Sequence, residues 1–355
     1  MFKDIIKGIM KDKFAGVALM ILLFMYLCIA CANFIAPYSK DFSDRNQSYA
    51  PPSPIYTITE SGKLSLPYTY NYIRVFEPKL YQNVYKLDKS QKHYIKLFTK
   101  GESYKIFGLI PCSIHLIGTD EGGRLYLLGT DINGRDVFSR LLFGGRISLT
   151  IGFLALFILF PIGLIYGGIS GYFGGWIDIL MMRFAEAVMA IPSFYLLIIL
   201  ASILPANMTS IQRFTLIVVI LALIGWAGFA RVVRGMVLSI KNEEFVQAAE
   251  TIGASKMRII TKHILPQTTS YVIIAMTLSV PSYILSESGL SFLGLGIQQP
   301  DASWGNMLKE AQEYINILYR PWLLTPGLLI FIAVLCFNLI GDTVRDILDP
   351  KGQMR

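Results

Sequence analysis

Two carboxylates, Glu186 and Glu287, stand in or beside runs that are otherwise apolar. An ionisable group in such a place is a candidate for a proton relay or for the lining of a substrate pathway. Arg183 precedes Glu186 by three residues, one helical turn, so a structural ion pair competes with a relay there. For Glu287, a place lining a water-filled vestibule competes with plain exposure at the interface. Proton coupling asks for such groups near the midplane, with partners. Other chemistry has no residues to carry it. His93, His115 and His263 are isolated, without an H-E-x-x-H or paired-cysteine spacing, so no metal site is expected. A phosphate-binding G-x-x-x-x-G-K-[ST] loop is missing; the nearest string, SGKLS, lacks the first glycine and the hydroxyl after lysine. No G-x-S-x-G nucleophile turn occurs either. The chain is read as non-catalytic, holding no cofactor of its own.

The segment EEFVQAAETIGASKMRIITKHILP, 243–266, carries a different kind of signal. Phe245, Ala248, Ala249 and Ile252 fall at i, i+3, i+4, i+7, one apolar stripe, with Glu243, Gln247 and Glu250 opposite. Gly253 permits a sharp turn. Beyond it Met257, Ile260 and Ile264 form a second stripe, Arg258 and Lys262 an i, i+4 basic pair, and Pro266 is expected to end the helix. Two short amphipathic helices hinged at a glycine, with charge outward, suit contact with a partner in water.

These features sit in a very apolar chain. Of 355 residues 54% are hydrophobic and 16% charged, too apolar for an ordinary soluble domain. Six runs suffice to cross a hydrocarbon core, which takes roughly 20 helical residues: 15–34, 147–169, 184–204, 214–230, 271–285 and 322–340. Pro161, Pro192, Pro281 and Pro326 lie within them, so kinked helices in a bundle are expected. The formal charge of +8 comes from basic residues that abut apolar spans, which points to membrane topology rather than nucleic acid. Lys3, Lys7, Arg231, Lys256 and Lys262 among others fall on one side, which places both termini and the hinged segment in the cytoplasm of a multi-pass cell-membrane protein. The first run reads as a retained signal anchor. Only Cys112 stands in a polar region, so no disulfide framework is expected there.

Between the first two runs lies a polar region, 36–146, rich in tyrosine and lysine. Runs such as YIRVF and KIFGLI suggest a few strands, so a small mixed or β-rich extracytoplasmic domain is expected within an otherwise all-α membrane protein. It closes with an echo, HLIGTDEGGR followed by YLLGTDINGR. Thr130 or Asp131 is read as the cap of a short amphipathic helix at the interface, with Val137, Leu141 and Leu142 towards lipid or protein. The expected organisation is 1–35 as amino terminus and first span, 36–146 as the extracytoplasmic domain, 147–345 as a five-helix core with a cytoplasmic loop at 231–268, and 346–355 as a tail.

The hinged segment resembles the cytoplasmic EAA loop of membrane subunits of ATP-binding-cassette importers, a Glu-Ala-Ala, three residues, Gly, nine residues, Ile, any residue, Leu-Pro pattern. Gln247, Ala248, Ala249, Gly253, His263, Leu265 and Pro266 occupy its places, with glutamine for the glutamate and histidine for the isoleucine. The strings LLGTDINGRDVFSRLLFGGRISL, LSFLGLGIQQPDASWGNML and NLIGDTVRDILDPK narrow the resemblance to C-type permease subunits of the dipeptide, oligopeptide and nickel importers. That resemblance implies a type I importer permease fold of six transmembrane helices. It also implies a B-type sister permease, two cytoplasmic ATPase subunits that use ATP and magnesium, and an extracytoplasmic peptide-binding protein. Glu243, Glu244, Gln247, Ala248, Ala249, Glu250, Gly253, His263, Leu265 and Pro266 would then form the ATPase-docking site. From the residues alone, a secondary transporter driven by an ion gradient, using Glu186 and Glu287, and a membrane-anchored scaffold stay open.

Overall fold

The computed structural model describes residues 2–59, 62–78, 82–106, 110–205 and 207–348. The middle of KIFGLI and the tail from 349, with the end of NLIGDTVRDILDPK, lie outside the described residues. Helices α1 (Phe2–Lys11), α2 (Lys13–Ala30) and α3 (Ala32–Ile35) come first. Strands β1 (Tyr56–Ile58), β2 (Leu64–Glu77), β3 (Gln82–Ile106) and β4 (Ile110–Thr119) follow. Then come α4 (Val137–Phe173), α5 (Gly175–Ala190), α6 (Ser193–Ser202), α7 (Ser210–Ile240), α8 (Glu244–Thr251), α9 (Lys256–Arg258), α10 (Thr269–Phe292), α11 (Trp304–Leu308), α12 (Tyr314–Tyr319) and α13 (Thr325–Leu348).

Among the described residues, five helical stretches are long and apolar enough to cross a membrane: Lys13–Ala30, Val137–Phe173, Ser210–Ile240, Lys256–Phe292 and Pro321–Leu348. The pair α5–α6 passes the same test jointly but is bent by 77°, making six if it counts as one span. The kink expected at Pro192 within 184–204 is thus a full break between two helices, and the run begins earlier, at Gly175. Proline excludes the preceding residue from helical backbone, and Ile191 is extended with φ −86° and ψ 124°. Pro161 and Pro281 do lie inside helices. Pro326 lies within the Pro321–Leu348 stretch as expected, as the second residue of α13, where a missing N–H costs nothing. The fourth run extends to Ser210–Ile240 because its flanking arginines have partners: buried Arg213 donates to Pro205 O at 3.0 Å. The interfacial helix expected before the second span is also corrected, since residues from Val137 onward form one helix with it.

The chain divides into two compact units, the first comprising Met1–Leu22, Leu149–Gly296 and Ile330–Arg355. Its organising contact is a small-residue face. A Cβ added at Gly163 would lie 2.5 Å from the Phe229 ring, at Gly167 2.4 Å from Ala230 O, and at Gly171 2.8 Å from Arg234 O. Glycines at i, i+4, i+8 therefore let α4 and α7 approach backbone to backbone, the packing available where lipid removes the hydrophobic drive between helices. Tyr166 and Trp226 meet edge-on, 4.5 Å between centroids. In α1, Ile5 and Ile9 are buried at i, i+4, and Gly8 faces Ile347 of α13.

The second unit comprises Leu23–Ser148 and Ile297–Leu329. Its four strands form an antiparallel meander in the order β1-β2-β3-β4, rich in the β-branched and aromatic residues that suit a pleated surface. Tyr68 pairs with Tyr56 on β1 and Tyr94 on β3; across the strands its ring stacks on Tyr56 at 5.6 Å and meets Tyr94 edge-on at 6.2 Å between centroids. YIRVF falls in β2 as expected. His115 fastens the sheet: Nδ1 lies 2.7 Å from Ala36 O and Nε2 3.0 Å from Glu102 O. Trp304 is buried, and its indole N–H donates to Leu141 O at 2.9 Å.

Candidate functional site

The hinged segment leaves α7 at Lys241 and enters the two-turn helix α8. That helix ends in a Schellman arrangement. Gly253 takes φ +78°, Gly253 N–H donates to Glu250 O at 2.9 Å, and Ala254 N–H reaches back to Ala249 O at 3.1 Å. The glycine is demanded by backbone alone, since a Cβ there would meet nothing within 4 Å.

Beyond α9 the chain does not stop at Pro266 as the pattern suggested. Ile259–Ile264 forms a π-helical turn, Leu265–Thr268 a 3₁₀ turn, and α10 continues from there. Pro266 lacks an N–H and its ring collides with the carbonyl four residues back, while the wider i→i+5 ladder makes room. Leu265 N–H donates to Ile260 O in that register. The altered winding also shifts the second stripe: Ile259, Ile260 and Ile264 are buried, whereas Met257 is 48% exposed.

The stripe of the first helix is corrected more sharply. Val246 and Ala249 turn inwards and are buried, while Phe245 (41% exposed), Ala248 and Ile252 (83% exposed) face away from the spans. A two-turn helix carries apolar residues on both faces, and periodicity does not say which face the bundle takes. Glu243, Glu244, Gln247, Glu250 and Pro266 are exposed; His263 and Leu265 are half-buried. Gln247 folds back, its amide donating to Asn242 O at 3.1 Å.

Several contacts fix this segment to the ends of the long helices. Tyr172, near the end of α4, donates its hydroxyl to Glu250 Oε1 at 2.6 Å. Lys241 Nζ donates to Gly171 O at 3.3 Å, and Lys256 lies over the Phe173 ring at 5.3 Å. Gly168 admits Ile260 and Leu265, a Cβ there falling 3.0 and 3.3 Å from their side chains. Behind them Arg234 of α7 grips Asp178 of α5 with two nitrogens, Nε to Oδ1 at 2.9 Å and Nη2 to Oδ2, while Ser170 donates to Oδ1 at 2.6 Å. Neither Asp178 nor Arg234 was among the residues singled out from sequence. The usable signal was one carboxylate in the apolar run WIDILMM, the same reasoning that selected Glu186 and Glu287.

The structure does not bring those two glutamates to the segment. Arg183 Nη1 donates to Glu186 Oε2 at 3.0 Å in an exposed i, i+3 pair. Glu287 is 0% exposed in α10, so simple interfacial exposure is corrected; Ser291 Oγ donates to its Oε1 at 2.6 Å.

In the second unit, the GTDINGRDVFSR string forms a buried ionic cluster. Asp131 is not a helix cap but an Asx turn, its Oδ1 accepting from Asn133 N (2.8 Å) and Arg135 N (3.0 Å). Asp136 caps α4, Oδ2 accepting from Ser139 N at 2.7 Å. Arg135 Nε donates to Asp131 Oδ2 at 2.7 Å, and Arg140 Nη1 and Nη2 reach Pro300 O and Gln299 Oε1 at 3.3 and 3.2 Å. Two of the motif strings thus meet in space. Glu310 accepts from Ile132 N at 3.0 Å; burial first, then the Asp131 carboxylate, lift its pKa to about 7. Burial likewise lifts Asp136 to about 7. A carboxyl with a raised folded-state pKa keeps its proton to higher pH than in the unfolded chain. Its contribution is therefore present in acid and lost as pH rises towards 7. The melting temperature of the purified chain should accordingly fall between pH 5 and pH 8, and less so in Glu310→Gln. Identical pH profiles for the two proteins would show that Glu310 does not titrate in this window.

Residues 138–352 match the family described as binding-protein-dependent transport system inner membrane component, and residues 1–52 match the N-terminal TM domain of oligopeptide transport permease C. Residues 53–137, which hold the sheet, lie between the two matches. The oligopeptide transport system permease protein OppC of Haemophilus influenzae is 45% identical over 229 residues, 64% of this chain and 71% of the relative. The dipeptide transport system permease protein DppC of Bacillus subtilis is 47% identical over 225 residues, 63% and 68% of the two chains. The glutathione transport system permease protein GsiD of Escherichia coli is 41% identical over 224 residues, 63% and 71%.

Proposed function

This chain belongs to the family of binding-protein-dependent inner-membrane transport components, as a C-type permease of the peptide-importer branch, and from that premise we propose that it forms half of a peptide translocation path driven by a separate ATPase. The observation that carries the reading is the two-sided α8. Val246 and Ala249 hold it against the bundle, while Phe245, Ile252 and Met257 remain exposed beside Glu243, Glu244 and Glu250.

In this proposal the exposed stripe enters a groove on a cytoplasmic ATPase subunit, as an amphipathic helix enters a hydrophobic groove. Gln247, Ala248, Gly253, His263, Leu265 and Pro266 belong to the same docking unit. Nucleotide-driven closure of two such ATPases, using ATP and magnesium, displaces α8. Tyr172–Glu250, Lys241–Gly171 and the Gly168 contact then pass that displacement to α4, α7 and α10 as bodies. With glutamine at 247, the anionic contacts fall to Glu243 and Glu244, since Glu250 is engaged by Tyr172. The chain pairs with a B-type sister permease in a type I importer fold of six spans, with both termini cytoplasmic. A peptide-binding protein delivers substrate on the other side, where 36–146 lies. The substrate is a short peptide, the class shared by the oligopeptide, dipeptide and glutathione relatives.

The test is labelled-peptide uptake into proteoliposomes holding the whole assembly. Uptake should need ATP and proceed without an ion gradient. Uptake that needs a proton gradient and no ATP would replace this reading with the carrier built on Glu186 and Glu287.

A further inference from the structure

Two adjoining cavities lie where the sheet meets the end of α2, one mainly apolar and one of mixed lining. The larger, about 710 Å³, is walled by Ala30, Cys31, Phe34, Phe98, Cys112 and Ile114, with Lys105 on its lining. The smaller, about 410 Å³, is lined by Tyr38, Ser39, Lys40, Glu102 and Ser103 among others. Asn33, Tyr104 and Arg146 line both. Each volume is of the size that holds a small ligand.

Depth follows from α2. It is long and apolar enough to cross a membrane and ends at Ala30, so the cavities sit where hydrocarbon gives way to headgroups. Around them Leu97, Phe98 and Ile110 are exposed on the sheet. Such a patch has no reason to face water, and it is covered if the sheet rests on the bilayer. Charge adds the remaining element. Lys40, Lys105 and Arg146 outnumber the carboxylates beside them, Glu102 on the lining and Asp301, whose Oδ1 lies 3.5 Å from Lys40 Nζ. Arg146 is fixed between the two compartments, Nε donating to Ile29 O at 2.7 Å and Nη2 to Ala30 O at 3.2 Å.

An amphiphile with one apolar tail and an anionic head matches this arrangement. We propose that the paired cavities bind an anionic phospholipid from the leaflet on the sheet's side, an acyl chain in the larger and the phosphate in the smaller, beside Lys40 and Arg146. This site rests on the span and the sheet and is independent of the transport reading.

Native mass spectrometry of the full-length chain in detergent, titrated separately with phosphatidylglycerol, phosphatidylcholine and inorganic phosphate, tests it. Phosphatidylglycerol should be retained in preference to phosphatidylcholine, and inorganic phosphate should not displace it. Cys112→Trp, which fills the apolar compartment, should weaken both lipids at least about tenfold, the effect of excluding two methylenes. Lys40→Glu, at an exposed position, should abolish the preference for phosphatidylglycerol whether or not the tryptophan is tolerated by its strand. Equal retention of both lipids by the unmodified chain, full retention of preference in Lys40→Glu, or displacement by inorganic phosphate would overturn the proposal.

Discussion

Replacing Arg234 by alanine should destabilise the purified chain by about 1–3 kcal/mol, the cost of leaving a buried acceptor without its donor, since Asp178 is buried while the Arg234 side chain is 33% exposed. Asp178 is buried and accepts two hydrogen bonds from Arg234 and one from Ser170. Removing the guanidinium leaves a carboxylate at the edge of an apolar bundle with a single hydroxyl among those three donors. The loss is not a measure of what the pair contributes net, because two well-packed apolar residues of similar volume often serve as well. The double substitution Arg234→Met with Asp178→Leu should therefore recover most of the stability lost by the single one. Thermal unfolding of the unmodified chain, Arg234→Met, Asp178→Leu and the double variant, a double-mutant cycle, reads this directly. Additive losses would mean that the pair is not coupled and does not tie α5 to α7.

Gly167→Val should be comparably severe, about 3 kcal/mol, at the upper end of overpacking losses. Its Cβ would fall 2.4 Å from Ala230 O, 2.9 Å from Val233 Cβ and 3.0 Å from Arg234 N. Two of those neighbours are backbone atoms, which no rotamer change can move, so α4 and α7 must separate. Gly235→Ala supplies the control on the same helix pair. That glycine is exposed on α7 and meets nothing within 4 Å, so alanine should stabilise by roughly 0.5–1 kcal/mol through helix propensity. Equal melting temperatures for the two variants would contradict close backbone packing of α4 on α7.

What could be read from the sequence, and what could not, divides along physical lines. Apolar runs are a composition signal, and the long helices fall where those runs are. Their ends were misjudged wherever a charge has a partner, as at Arg213 and Arg234, because hydropathy treats an arginine as solvated. Helical period revealed two helices about Gly253, and the glycine's φ of +78° is the turn that the residue type suggested. Which face would be buried was not in the period. Val246 and Ala249 lie inwards because α8 packs on the Ile259–Ile264 turn, a tertiary fact. The π turn before Pro266 is another, since the same proline ends a free helix and only bulges one that is held at both sides. In the second unit, Asp131, Arg135 and Arg140 look like a solvated charge run. Their burial depends on Gln299 and Pro300, far away in the chain.

In the proposed function the exposed face of α8 couples this permease to an ATPase in another polypeptide. Peptide-stimulated ATP hydrolysis by the reconstituted assembly carrying Ile252→Asp reads that coupling. Ile252 is 83% exposed, so the substitution leaves the fold of the chain unchanged. Burying an isoleucine at an interface contributes about 1.5–3 kcal/mol, and losing it should weaken ATPase association about tenfold to a hundredfold. Stimulation by peptide should disappear with it, while the isolated chain melts as before. Association and stimulation equal to those of the unmodified assembly would contradict the claim.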